Sequence, residues 1–238
     1  MTFVKFLVAS GLCFALYTHA ADRATIDVIV SLEAAACTPS LSNGGVVNFG
    51  KHSINALSTS HYTQLGVRNI TLTVTCESAT GIAITARDTR ADSVTIGEDS
   101  TGKRGVSYTV TGGGYIDQTA RLFGLGKTSA GLNIGSYAVL IDSNNITASD
   151  DNGTVSIMMA GADAAMSGQR RSWQVLSAYP LAGDQNYFYT FVKNAESTPA
   201  AITNAVVPLE VSASIANGLA GNEKIELDGQ AVISVVYL

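Results

Sequence analysis

Leu227-Asp-Gly-Gln-Ala-Val-Ile-Ser-Val-Val-Tyr-Leu238 opens on an Asp-Gly turn signal and then runs as strand-forming residues to the last position. Its alternation puts Ala231, Ile233, Val235 and Tyr237 on one face. Most domains trail a few loose residues after their last element. A strand that ends at the carboxylate is expected to be a contact surface instead. A second alternating run lies near the other end, where Ile26, Val28, Val30 and Leu32 share a face and Asp27, Ser31 and Glu33 fall between them. Two exposed strands at the two ends of one β-chain imply subunits that join by exchanging strands.

Working inward, period-2 patterns dominate and helical ones are nearly absent. Strands are predicted at Gly45–Phe49, Ile70–Cys76, Ile82–Ala86, Val106–Val110, Gly135–Asp142, Thr154–Met159, Tyr187–Lys193, Val207–Ile215 and Ala231–Leu238. Turn signals separate them at Ser42–Gly45, Thr111–Gly114, Asp150–Gly153, Ala182–Asp184 and Asn217–Gly218. Many short strands punctuated in this way predict an all-β sandwich with Greek-key connections. Only Ala160–Met166 reads as a short helix. There is no internal repeat and no linker, and the stretch from Gly97 to Arg171 reads as elaboration of one sandwich.

Composition sets the compartment. Met1–Ala20 reads as a secretory signal, with Lys5 as the charged start, Phe6–Tyr17 as the apolar segment and Thr18-His19-Ala20 as the cleavage site. The apolar run is short of the roughly 20 residues that span a bilayer. Loss of Lys5 leaves 13 basic against 19 acidic side chains. With no basic stripe, nucleic acid is not expected as a partner. Cys13 goes with the signal, so Cys37 and Cys76 remain as an even pair in an oxidising compartment, and one disulfide is predicted. Closing the loop of about 40 residues between them contributes roughly 4 kcal/mol in the chain-entropy model.

A search for chemistry finds little. His52 and His61 have no second ligand at zinc spacing and read as solvated surface groups. Gly124-Leu-Gly-Lys-Thr128 imitates a phosphate loop, but Arg121 stands where the first glycine belongs. Asp142-Ser-Asn144 and Asp150-Asp-Asn-Gly153 resemble fragments of calcium loops without the closing glutamate. Trp173 beside Arg170 and Arg171 reads either as a sugar platform or as a tryptophan packed at the rim. No enzyme, cofactor or metal site is expected.

The combination of the alternating leader, Cys37-Thr-Pro-Ser-Leu-Ser-Asn-Gly-Gly-Val-Val-Asn-Phe-Gly50 and Leu72-Thr-Val-Thr-Cys76 is similar to chaperone–usher fimbrial subunits. Arg87-Asp-Thr-Arg-Ala-Asp-Ser93, Ile134-Gly-Ser-Tyr137 and Leu227-Asp-Gly229 before the penultimate Tyr237 add to the likeness. Together they resemble the larger β-fimbria-type subunits (pilins) of Gram-negative bacteria, over most of the chain after the signal.

The resemblance implies an immunoglobulin-like sandwich lacking its seventh strand, so that a groove of apolar side chains and unpaired backbone stays open for another chain. It implies residues 21–36 as an N-terminal extension and residues 37–238 as the sandwich domain. Ile26, Val28, Val30 and Leu32 would be donor residues, and Ile233, Val235 and Tyr237 would line the acceptor groove. Cys37 and Cys76 would staple the incomplete fold, and the Leu238 carboxylate would anchor a chaperone. The implied partners are a periplasmic chaperone, an outer-membrane usher and other fimbrial subunits. The expected function is therefore a structural subunit exported through the periplasm to the cell surface. The alternative is an adhesin on the same scaffold, binding a host carbohydrate or protein receptor.

Overall fold

Residues 36–163, 172–176, 179–193, 196–219 and 224–238 are described by the computed structural model. Residues 35–238 make one compact unit. In chain order its strands are β1 (Cys37–Leu41), β2 (Thr63–Asp88), β3 (Val106–Tyr108), β4 (Gly114–Ile116), β5 (Phe123–Gly124), β6 (Gly135–Ile141) and β7 (Thr147–Asp150). There follow β8 (Gly153–Val155), β9 (Ile157–Asp163), β10 (Gln174–Val175), β11 (Tyr179–Pro180), β12 (Tyr187–Lys193), β13 (Ala201–Ile215) and β14 (Ala231–Tyr237).

β2 organises everything else. Its first half pairs with β1 on one side and β13 on the other, and β13 passes the sheet on to β6. Its second half pairs with β14 on one side and β12 on the other, and β12 continues to β9 and β10. The strand therefore serves two sheets. It changes from one to the other at Glu77–Gly81, where the register with β13 jumps between Ile202 and Asn204. Extra residues at such a bulge bend the strand and let it turn the corner of a sandwich.

The core follows from alternation. Leu72, Val74, Val207, Leu209 and Val139 point inward from the first sheet, and Ile82, Ile84, Met159, Tyr189 and Phe191 from the second. The outer faces are covered too. The β3–β4 hairpin and its flanks lay Val106 and Leu122 over Ala138 and Leu140 of β6. Glu210, buried in β13, pins that covering by accepting the Thr109 backbone N–H at 2.7 Å and the Thr109 hydroxyl. On the second sheet Trp173 packs over Ala83, Ala160, Ala162 and Val192.

The all-β sandwich is as expected, and Tyr187–Lys193 is found with its predicted bounds. Two local expectations fail. Gly45–Phe49 is not a strand, because Asn43, Gly44 and Gly45 all take positive φ in a tight turn that ends β1 and redirects the chain. Ala160–Asp163 is strand rather than helix, and residues 164–166 lie outside the described residues. The small residues serve cross-strand packing there: a Cβ on Gly161 would come within 2.4 Å of the Tyr187 ring. Two further boundaries differ. Ile70–Cys76 and Ile82–Ala86 are one strand, and Thr154–Met159 is divided between β8 and β9.

Candidate functional site

β1 ends one sheet and β14 ends the other. Among the described residues each hydrogen-bonds to a single neighbouring strand, β2. They flank one open side of the sandwich, where the Tyr237 hydroxyl accepts a hydrogen bond from the Cys37 backbone N–H at 2.8 Å.

The backbone of β14 is directional. Thr89 N–H donates to the Gln230 carbonyl at 3.1 Å and Leu238 N–H to the Gly81 carbonyl at 3.0 Å. By antiparallel alternation the even-numbered residues face β2, and Ala231, Ile233, Val235 and Tyr237 turn their N–H and C=O groups to the open edge. Across the pair, Asp88 N–H likewise turns away from β14, to the Gly183 carbonyl at 2.7 Å. The same four odd-numbered residues lie opposite Asp88, Ala86, Ile84 and Ile82, the last three of which are core. Edge and inner face thus coincide on one set of residues. A strand laid along this edge would meet backbone and apolar side chains together.

Burial marks where the sandwich is open. Ile82 and Ala86 are fully buried, whereas Ile233 and Val235 on the neighbouring strand are half-buried and Tyr237 is 52% exposed. The opposite wall has the same character. Glu77 N–H donates to the Ala36 carbonyl at 3.0 Å, so alternation turns Cys37, Pro39 and Leu41 to the open edge. Pro39 has no N–H to offer and fits only at such a position. Cys37, Leu41, Val47 and Leu57 on this side, and Ile225, Ala231, Ile233 and Val235 on the other, are partly buried against the core. The result is a trough with an apolar floor. Two clefts of about 570 and 330 Å³ extend it beyond the start of β14, and both are lined by Ile54, Lys224 and Ile225.

A polar knot fixes the root of β14. Asp88 accepts the Arg90 N–H and the Gly124 N–H, both at 2.8 Å. Burial pushes its carboxyl up, against the pull of those two donors. Arg90 Nε and Nη2 both reach Asp228 Oδ2, at 2.9 and 2.6 Å. Ser93 Oγ donates to the Arg90 carbonyl at 2.7 Å and accepts the Gly126 N–H at 2.9 Å. Gly229 sits against Tyr137, whose ring would be 2.8 Å from a Cβ there, and Tyr137 stacks on Phe123. Four separated stretches (87–93, 124–126, 134–137 and 227–229) therefore meet at one point. In the stretch that imitates a phosphate loop, the Gly124 and Gly126 N–H groups go to Asp88 and Ser93, and those of Leu125 and Thr128 to the Gly135 and Leu132 carbonyls.

The remaining predicted residues are placed as follows. Cys37 and Cys76 are bonded at 2.05 Å, directly across the β1–β2 pair. Ile233 and Val235 lie on the trough floor, Tyr237 spans toward β1, and Leu238 is half exposed beside Gly81. Ile26, Val28, Val30 and Leu32 lie outside the described residues. His52 and His61 are on the surface. Trp173 is buried, as the rim-packed reading requires and a sugar platform does not. Sequence reasoning missed the far wall (Leu41, Val47 and Leu57) and gave Asp88, Arg90 and Asp228 no role. The Asp-Gly before the last strand was the available signal for the knot.

Residues 26–138 match the family model described as "Protein of unknown function (DUF1120)". The chain is 68% identical to "Uncharacterized protein YhcF" of Escherichia coli (strain K12), with both chains covered in full. It is 31% identical to "Protein GltF" of the same organism, again over the whole of both chains.

Proposed function

The chain belongs to the DUF1120 family, and from that premise we propose that it is a non-enzymatic structural subunit of a surface fibre, polymerised by strand exchange. In this reading the trough between β1 and β14 accepts the Ile26–Leu32 segment of a second copy or a related subunit. A periplasmic chaperone fills the trough first, and an outer-membrane usher presents the next subunit. The observation that carries the reading is the coincidence on β14 of open backbone groups and half-exposed apolar side chains at Ala231, Ile233, Val235 and Tyr237. Strand addition uses this pairing of main-chain bonds with alternate side-chain pockets.

The energetics suit a lasting joint. Burying Ile26, Val28, Val30 and Leu32 at roughly 1.5–3 kcal/mol each gives about 6–12 kcal/mol before backbone pairing. That is comparable with the whole stability of a domain, and it exceeds the low end of the cost of association.

The test is periplasmic expression of the full chain and of a variant lacking residues 22–36, each with and without a co-expressed periplasmic chaperone and outer-membrane usher of the source organism. Strand exchange predicts chaperone complexes for both and polymers for the full chain only. Polymers from the shortened chain, or full yield of a stable monomer without chaperone, would refute it.

A further inference from the structure

We propose that Tyr237 is a removable guard on the trough: its hydroxyl occupies a backbone donor of β1 while the trough is empty, and an inserting strand displaces it. This rests on the strand-capture reading above and adds a gating step to it.

The geometry of β1 carries the inference. Cys37, Pro39 and Leu41 face the open edge. Pro39 has no N–H, and the Cys37 N–H is held by Tyr237 at 2.8 Å. An edge strand blunted in this way resists indiscriminate pairing. A strand that pairs with this edge of β1 needs the Cys37 N–H as a donor, and the Tyr237 hydroxyl already holds it. The hydroxyl and an inserted backbone carbonyl therefore exclude each other at that donor.

The partners differ in freedom to move. Cys37 is tied to Cys76 by the disulfide, so the β1 side of the contact is fixed. Tyr237 is 52% exposed and its ring can swing out at the cost of one hydrogen bond. The Cys37 N–H is then released to pair with the carbonyl of the incoming strand, so the number of satisfied donors is conserved. Loss of one such bond corresponds to a change in opening of about 5- to 10-fold. The guard thus slows capture and leaves the final joint intact.

The experiment uses the full oxidised chain and a fluorescent peptide with the sequence of residues 22–36. Capture is followed by anisotropy for the wild type and Tyr237→Phe, with amide exchange at Cys37 measured in both. The expected result is exchange at Cys37 and peptide capture each about 5- to 10-fold faster in Tyr237→Phe. Capture at equal rates, or slower in the variant, overturns the guard and leaves strand capture standing. Capture by neither protein overturns the strand-capture reading and the guard with it. A second measurement needs no substitution: a fluorotyrosine signal from position 237 should move to its solvent-exposed value when the wild type takes up peptide. A signal that stays in place overturns the proposal.

Discussion

Val235→Ala and Val207→Ala remove the same two carbons from opposite sides of the sandwich and should do different things. Val207 is fully buried in the core of the first sheet. Its truncation loses about 1.6 kcal/mol at ~0.8 per carbon, and the cavity left behind raises the loss to ~2 kcal/mol. For a domain of this size that lowers the melting temperature by about 4–8 °C. Val235 is half-buried on the trough floor with no strand beyond it among the described residues. Its truncation should cost the subunit under ~1 kcal/mol, because much of the side chain is still in water. The missing part appears when a strand fills the trough. Affinity for a peptide spanning residues 22–36 should then fall about 5-fold, equivalent to ~1 kcal/mol. Calorimetry and peptide titration on both variants provide the comparison. The reasoning fails if Val235→Ala destabilises as much as Val207→Ala while peptide affinity is unchanged, because the trough would then be filled by the chain itself.

Gly229→Ala places a Cβ at 2.8 Å from the Tyr137 ring, which is backed by Phe123; overpacking of about 1–3 kcal/mol is expected, read as a lower denaturation midpoint together with weaker peptide capture. The Asp99 carboxyl is held down at about 2, chiefly by the Thr101 hydroxyl and further by the Tyr115 hydroxyl and backbone N–H groups. A depressed carboxyl stabilises the fold above its unfolded value near 3.8 and loses that contribution as pH falls toward 2. Asp99→Ala should therefore melt below the wild type at pH 6, with the difference shrinking by pH 2; a constant difference would refute the assignment.

The strongly alternating segments could be read directly. Tyr187–Lys193 and the last strand are dense in β-branched and aromatic residues, and the core-facing sets at every second position (Tyr189 and Phe191, Ile233 and Val235) fix their register. The disulfide needed only a compartment and an even count. Other features were set by partners distant in sequence. β1 reads as a polar, proline-containing stretch because it is an edge strand with little to bury. Ala160-Gly161-Ala162 has helix-like composition, yet it is small because Tyr187 and Trp173 lie against it. Gly45–Phe49 alternates, but the turn built on Asn43, Gly44 and Gly45 governs the backbone before alternation can act. The knot was the least legible part. Asp88, Arg90 and Asp228 look like ordinary surface charges until the fold brings residues 88 and 228 side by side.

Amide exchange along β14 tests the central claim most directly. With the trough empty, the N–H groups of Val232, Ser234, Val236 and Leu238 should be protected by β2, and those of Ala231, Ile233, Val235 and Tyr237 should exchange freely. Adding the residue 22–36 peptide should slow the odd-numbered set selectively and leave the even-numbered set as it was. Protection of all eight before any peptide is added, or no change at the odd positions afterwards, would contradict an acceptor edge on the last strand.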